Sequence, residues 1–183
     1  MQLLFLDIDG VLNHGYDPSR VTIHPVTGWG GQHPTDYNEG FNYHVESCVL
    51  ALNALIHATG AKIVISSSWR HAHTLDELRD ILHRQFGVVG DIIAVTPDDV
   101  LDDEGFDAAR ICEIRAFLDR FEEQVLGFVI LDDNDITLDI NNERSRDQEL
   151  EARFVRTDTA VGLTPDLTLR AEHLLALPRV GAS

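Results

Sequence analysis

Short segments made almost wholly of apolar residues recur along this chain, each separated from the next by residues at helical spacing. That alternation constrains the fold more than any other feature. Gln2 to Asp7 is the first run, Ala61 to Ile65 the second, Asp91 to Val95 the third and Val125 to Leu131 the fourth, with Ala152 to Val155 a weaker fifth. A strand with one wet face alternates apolar and polar residues, whereas a continuously apolar strand is buried on both faces. Between the first two runs, Val45, Cys48, Val49, Leu52, Leu55 and Ile56 repeat at helical spacing, and Gly60 stands where a helix C-terminus needs a glycine. Thr74 and Glu77 form a capping box ahead of Leu75, Leu78, Leu82 and Phe86, and Gly87 ends that pattern. A further helix is expected from about Asp107 to Glu123 with Ile111, Ile114, Leu118 and Phe121 inward. Thr164 before Pro165 opens a last helix carrying Leu167, Leu174, Leu175 and Leu177. Strands separated by helices pair in parallel through crossovers, so the expected fold is a three-layer α/β structure around a central parallel sheet. In such a sheet ligands sit at the C-terminal ends of the strands.

The 183 residues fit one domain, taken here as residues 1–183. One segment interrupts the rhythm. Residues 13–43, from Asn13 to Tyr43, are rich in Gly, His, Pro and aromatics and show no period. A loop that long in a compact domain is usually functional, so it is read as a cap or lid insert. His14, His24, His33 and His44 lie in or beside it without zinc-ligand spacing on a regular element, and are read as polar lid residues. Trp29 and Tyr37 either stack on a base or sugar or anchor the loop.

Polar residues gather where the expected fold places its site. The first strand ends in Asp7-Ile8-Asp9-Gly10, the second in Ser66-Ser67-Ser68-Trp69-Arg70 and the fourth in Asp132-Asp133-Asn134-Asp135, while Arg110 opens the helix leading into the fourth. Each piece alone has a plain reading as turn or cap chemistry. Together, four carboxylates at buried strand ends repel one another unless a cation joins them. A hard divalent ion with oxygen ligands, Mg2+ first, is the economical partner.

Asp7-Ile8-Asp9-Gly10-Val11-Leu12, a serine ending the second strand, a basic residue at a helix start and Asp132-Asp133 after an apolar strand resemble the four motifs of the haloacid dehalogenase-like (HAD) phosphohydrolases. The match runs in order from residue 3 to about residue 135. The forms DIDGVLN, SSSWR, RxxEI and LDD are also similar to a smaller branch, the phosphatase domains associated with RNA-repair proteins and polynucleotide kinase-phosphatases. The resemblance implies a Rossmann-like fold with a small loop-type cap. It implies Asp7 as a nucleophile that forms an aspartyl-phosphate, and Asp9 as the general acid and then base. Ser66, with Ser67 and neighbouring N–H groups, would hold the phosphoryl oxygens, and Gly10 would let the backbone turn close to the phosphate. Mg2+ would be held by Asp7, Asp132, Asp133 and the Asp9 main-chain carbonyl. The family more often uses lysine as its phosphate-site cation. Here Lys62 lies inside the second strand, which leaves Arg110 as first candidate and Arg115 as second. Arg70, Trp69, Asn13 and His14 are set down as candidate substrate contacts.

Charge narrows the substrate question. With 31 acidic residues against 14 basic ones, the net charge is −17 and Lys62 is the lone lysine. A sequence-independent grip on a nucleic-acid backbone needs a basic face, so polymer binding would rely on local arginines such as Arg20 and Arg70. The acid run Asp98, Asp99, Asp102, Asp103, Glu104 and Asp107 reads first as a solvated surface. Cys48 and Cys112 fall on apolar helix faces and are read as reduced core residues, and Leu3 to Leu6 is too short for a signal or a membrane span. The expected location is cytoplasmic, with neither membrane nor obligate protein partner. The expected function is Mg2+-dependent phosphomonoester hydrolysis, on nucleotide or nucleic-acid-end phosphates. The alternatives are a phosphatase of small phosphorylated metabolites and a non-catalytic acidic binding module on the same fold.

Overall fold

The computed structural model describes residues 1–13, 44–98, 110–136 and 147–179. The insert from residue 14 onward, with His14, Arg20, His24, Trp29, His33 and Tyr37, lies outside the described residues, as does the acid run beyond Asp98.

Strands β1 (Gln2–Leu6), β2 (Lys62–Ile65), β3 (Ile92–Val95), β4 (Gly127–Asp132) and β5 (Phe154–Arg156) form one sheet in the order β3-β2-β1-β4-β5. All four pairings are parallel. Leu6 sits beside Ile65 on one side and Leu131 on the other, so the ends of β1, β2 and β4 are level. The strand order reverses between β1 and β4, the place where an open α/β sheet leaves a crevice.

Period-two alternation distributes β1 between two cores. Leu4 and Leu6 pack with α1 (Glu46–Thr59), α2 (Leu75–Asp80) and α5 (Pro165–Ala176) on one face of the sheet. Leu3 and Phe5 pack with α3 (Arg110–Arg120) and α4 (Gln148–Ala152) on the other. Phe5 meets Phe117 and Phe128 edge-on at 5.6 and 6.0 Å, which ties α3 to the sheet centre.

Local signals acted largely as read. Gly60 ends α1 with φ 65°, its N–H donating to the Ile56 carbonyl. Thr74 and Glu77 complete the capping box of α2. That helix continues as a π turn over Ile81–Gln85, which keeps Ile81, Leu82 and Phe86 all in the core.

Three details differ from expectation. Ala152 ends α4 instead of starting β5, because Asp147 caps that helix by accepting from the Glu149 and Leu150 N–H groups. The buried side of α5 is Thr168, Ala171 and Leu175, while Leu177 is 41 % exposed, since the helix stops at Ala176 and Leu177 is already extended. Phe117 on α3 is buried, and Phe121, one residue past the end of that helix, only partly so. Cys48 is buried and Cys112 half-buried, and neither is in a disulfide. No helix among the described residues is long and apolar enough to cross a membrane.

Candidate active site

Asp7 is the first residue beyond β1, where its N–H still donates to the Leu131 carbonyl at 3.0 Å. Its carboxylate is buried, with Oδ1 accepting the Ile8 N–H at 2.9 Å. Burial, and then the neighbouring Asp132, pushes its pKa up to about 7, against the opposing pull of Arg110, the Ser67 hydroxyl and the Ile8 N–H. Asp132 ends β4, is fully buried, and is likewise raised, first by burial.

Arg110 offsets this pair. It opens α3, and its Nη1 lies 3.0 Å from Asp7 Oδ2 and also donates to Asp132 Oδ2. Arg115 is engaged elsewhere, 2.6 Å from Asp147 and 3.0 Å from Glu149. Lys62 sits at the opposite end of β2, paired with Asp91 at 2.5 Å.

Asp133 completes an acidic group. Its carboxylate accepts from Thr159 Oγ1 at 2.7 Å and Asn134 Nδ2 at 3.1 Å, while its main-chain carbonyl accepts from Arg156 Nε at 3.0 Å. One oxygen from each of Asp7, Asp132 and Asp133 lies within 4.8 Å of the others. An all-carboxylate set suits a hard divalent cation such as Mg2+ or Ca2+ and not a soft one. Asp9 does not join this group. Its Oδ1 accepts from Asn13 Nδ2 at 2.8 Å and its Oδ2 from Trp69 Nε1 at 2.9 Å. The spacing of Asp7 and Asp9 is therefore not that of an extended strand: β1 ends at Leu6, and the Val11 and Leu12 N–H groups already turn back onto the Ile8 carbonyl.

Gly10 makes that turn possible. Its φ is 71°, its N–H donates to Asn13 Oδ1 at 3.0 Å, and its carbonyl accepts from Thr157 Oγ1 at 2.7 Å. Asp133 packs directly against its Cα.

The serine turn places its two candidate residues differently. Adjacent residues leaving a strand point to opposite sides. Of the pair, Ser67 is the one whose hydroxyl lowers the Asp7 pKa, while it accepts the Trp69 N–H at 3.4 Å; Ser66 Oγ is buried with no hydrogen-bond partner among the described residues. Ser67 also caps a 3-10 turn, Ser68–His71, that aims the next two side chains. Trp69 is buried, with its ring near Phe86 and His73 and its N–H on Asp9, so it does not offer an open stacking face. Arg70 is turned inward as well. It is directed inward onto Glu113 at 2.5 Å and onto the Ser66 and Ser67 carbonyls at 3.1 and 2.9 Å. Asn13 faces Asp9 and Gly10 instead of outward, because its amide satisfies both. His44 tilts onto Phe86 at 4.7 Å.

Sequence reasoning missed Glu113, Thr157 and Thr159. Glu113 left a visible signal, a lone acid on the stripe of Ile111, Ile114, Phe117 and Leu118. Thr157 left none, since it reaches Gly10 across 147 residues.

The family described as the HAD domain in Swiss Army Knife RNA repair proteins matches residues 3–167. No curated protein and no solved structure matches the chain.

Proposed function

The chain belongs to the family of HAD domains in Swiss Army Knife RNA repair proteins, a phosphatase-type hydrolase family, and from that premise we propose that it hydrolyses phosphomonoesters at nucleotides or nucleic-acid ends. The observation that carries this is the meeting of Asp7, Asp132 and Arg110 at the level ends of β1 and β4, next to the serine turn that follows β2. Asp7 attacks phosphorus and forms an aspartyl-phosphate, which divides hydrolysis into two displacements. Asp9, held by Asn13 and Trp69, gives its proton to the leaving oxygen and then takes one from the attacking water. Arg110 and the Ser67 hydroxyl face the charge that develops on the transferring group.

Asp7, Asp132 and Asp133 would hold Mg2+. The ion would supply charge neutralisation of the phosphoryl oxygens and shield the carboxylates from one another. Saturating Mg2+, at about 100 times its Kd, is expected to stabilise the protein by about 2.7 kcal/mol and to raise its thermal midpoint by roughly 5–10 °C. Asp132→Asn should abolish that rise, which differential scanning calorimetry with and without EDTA will show.

The whole chain acts as one domain, with residues 13–43 as the lid that selects the substrate. The thiols of Cys48 and Cys112 support a reducing, cytoplasmic setting. The family's description favours a nucleic-acid end; the net charge of −17 favours instead a small phosphorylated metabolite, since it repels a polyanion. Phosphate release with Mg2+ separates them. The expected result is turnover of a 3'-phosphorylated oligonucleotide well above that of sugar phosphates, and the reverse ranking selects the metabolite reading. A protein that releases no phosphate even from p-nitrophenyl phosphate would be a binding module.

A further inference from the structure

The pair Arg70–Glu113 joins two parts of the site that share no strand. Nη2 of Arg70 lies 2.5 Å from Glu113 Oε1, with the two side chains only 5 % and 10 % exposed. Nη1 of the same guanidinium donates to the Ser66 and Ser67 carbonyls. Glu113 stands three residues after Arg110, one helical turn along α3. One ion pair thus ties the serine turn to the helix whose first residue bridges Asp7 and Asp132.

Stability alone gives a weak reason for such a pair. Two charges withdrawn from water recover their desolvation cost only when every remaining donor and acceptor is satisfied. Here Arg70 Nε and Glu113 Oε2 are both buried without a hydrogen-bond partner among the described residues. An apolar pair of similar volume would fill the space as well. What it would not do is orient peptides. In a planar trans peptide the carbonyl and the following N–H point in opposite directions. Fixing the Ser66 and Ser67 carbonyls on Arg70 therefore directs the Ser67 and Ser68 N–H groups away from it.

We propose that Arg70 and Glu113 are positioning residues, which hold the Ser67 hydroxyl, the Ser67 and Ser68 N–H groups and Arg110 in register around one phosphoryl group. The inference rests on the phosphatase reading for its meaning, but its test does not depend on turnover. The double variant Arg70→Met with Glu113→Met removes both charges and keeps the volume. It should fold with a thermal midpoint near that of the wild type, bind tungstate about 10–100-fold more weakly by calorimetry in the presence of Mg2+, and lose kcat by a similar factor on p-nitrophenyl phosphate. Arg70→Lys, which keeps the charge but not the two-carbonyl grip, should fall between the two, and it supplies the same titration if the double variant does not fold. Unchanged tungstate affinity in a folded variant overturns the positioning role. A wild type that binds tungstate but hydrolyses no phosphomonoester sinks the phosphatase reading instead, while the affinity ratio still decides the pair.

Discussion

Asp7→Asn should reduce kcat on any phosphomonoester by at least about 10,000-fold, because the carboxamide keeps the shape of the side chain and removes the nucleophile. The loss should not come from misfolding. The amide oxygen can still accept the Ile8 N–H, and Arg110 retains Asp132. Stability should move the other way. Burial raises Asp7 to about 7 from the ordinary carboxylate range, so the folded state binds this proton more tightly than the unfolded chain does. A group of that kind contributes its stability below the unfolded pKa, and the contribution is lost as pH rises through about 4 to 7. In EDTA at pH 8 the ionised Asp7 therefore costs the wild type, and the asparagine variant escapes that cost. Its thermal midpoint should exceed that of the wild type at pH 8, and the gap should narrow at pH 5. Turnover within tenfold of the wild type would remove Asp7 from the nucleophile's place.

The parts of this site that could be read from the sequence are those set by local pattern. Leu3 to Leu6 announces a buried strand, the acids that follow mark its end, and Gly60 and the Thr74/Glu77 box act within one helical turn of where they stand. Asp132 is legible for the same reason, at the end of a wholly buried strand. Direction is less legible than position. Trp69 and Arg70 are neighbours in a single 3-10 turn, and only tertiary packing sends one to Asp9 and the other to Glu113. The same holds for Ser66 and Ser67, whose order in the sequence does not say which hydroxyl caps the turn at Trp69 and which is left buried without a partner among the described residues. Contacts that cross the fold leave the least trace. Thr159 on Asp133 and Thr157 on Gly10 depend on the β5 edge docking beside β4, and no periodicity predicts them.

Gly10→Ala should damage the site through geometry alone. The residue has φ 71°, in the left-handed region, where a Cβ costs about 1–2 kcal/mol. A Cβ built there also falls 2.3 Å from both Cγ and Oδ2 of Asp133 and 2.6 Å from its Cβ. Neither side can retreat freely. Gly10 is pinned by Asn13 at its N–H and Thr157 at its carbonyl, and Asp133 by Thr159, Asn134 and Arg156. If the Asp133 side chain yields, it leaves its place beside Asp7 and Asp132, and if the Gly10 turn yields, Asp9 moves with it. The expected result is a loss of about 2–4 kcal/mol in unfolding free energy, disappearance of the Mg2+-dependent rise in thermal midpoint, and a fall in turnover of about 100-fold or more. Gly60→Ala isolates the cause. Gly60 has nearly the same dihedral, φ 65°, but a Cβ there meets nothing within 4 Å. It should cost about 1 kcal/mol through backbone strain and leave both Mg2+ response and turnover intact. The difference between the two variants then measures the contact with Asp133, and a Gly10→Ala protein that still gains stability from Mg2+ would show that the added methyl does not displace Asp133 from its place beside Asp7 and Asp132.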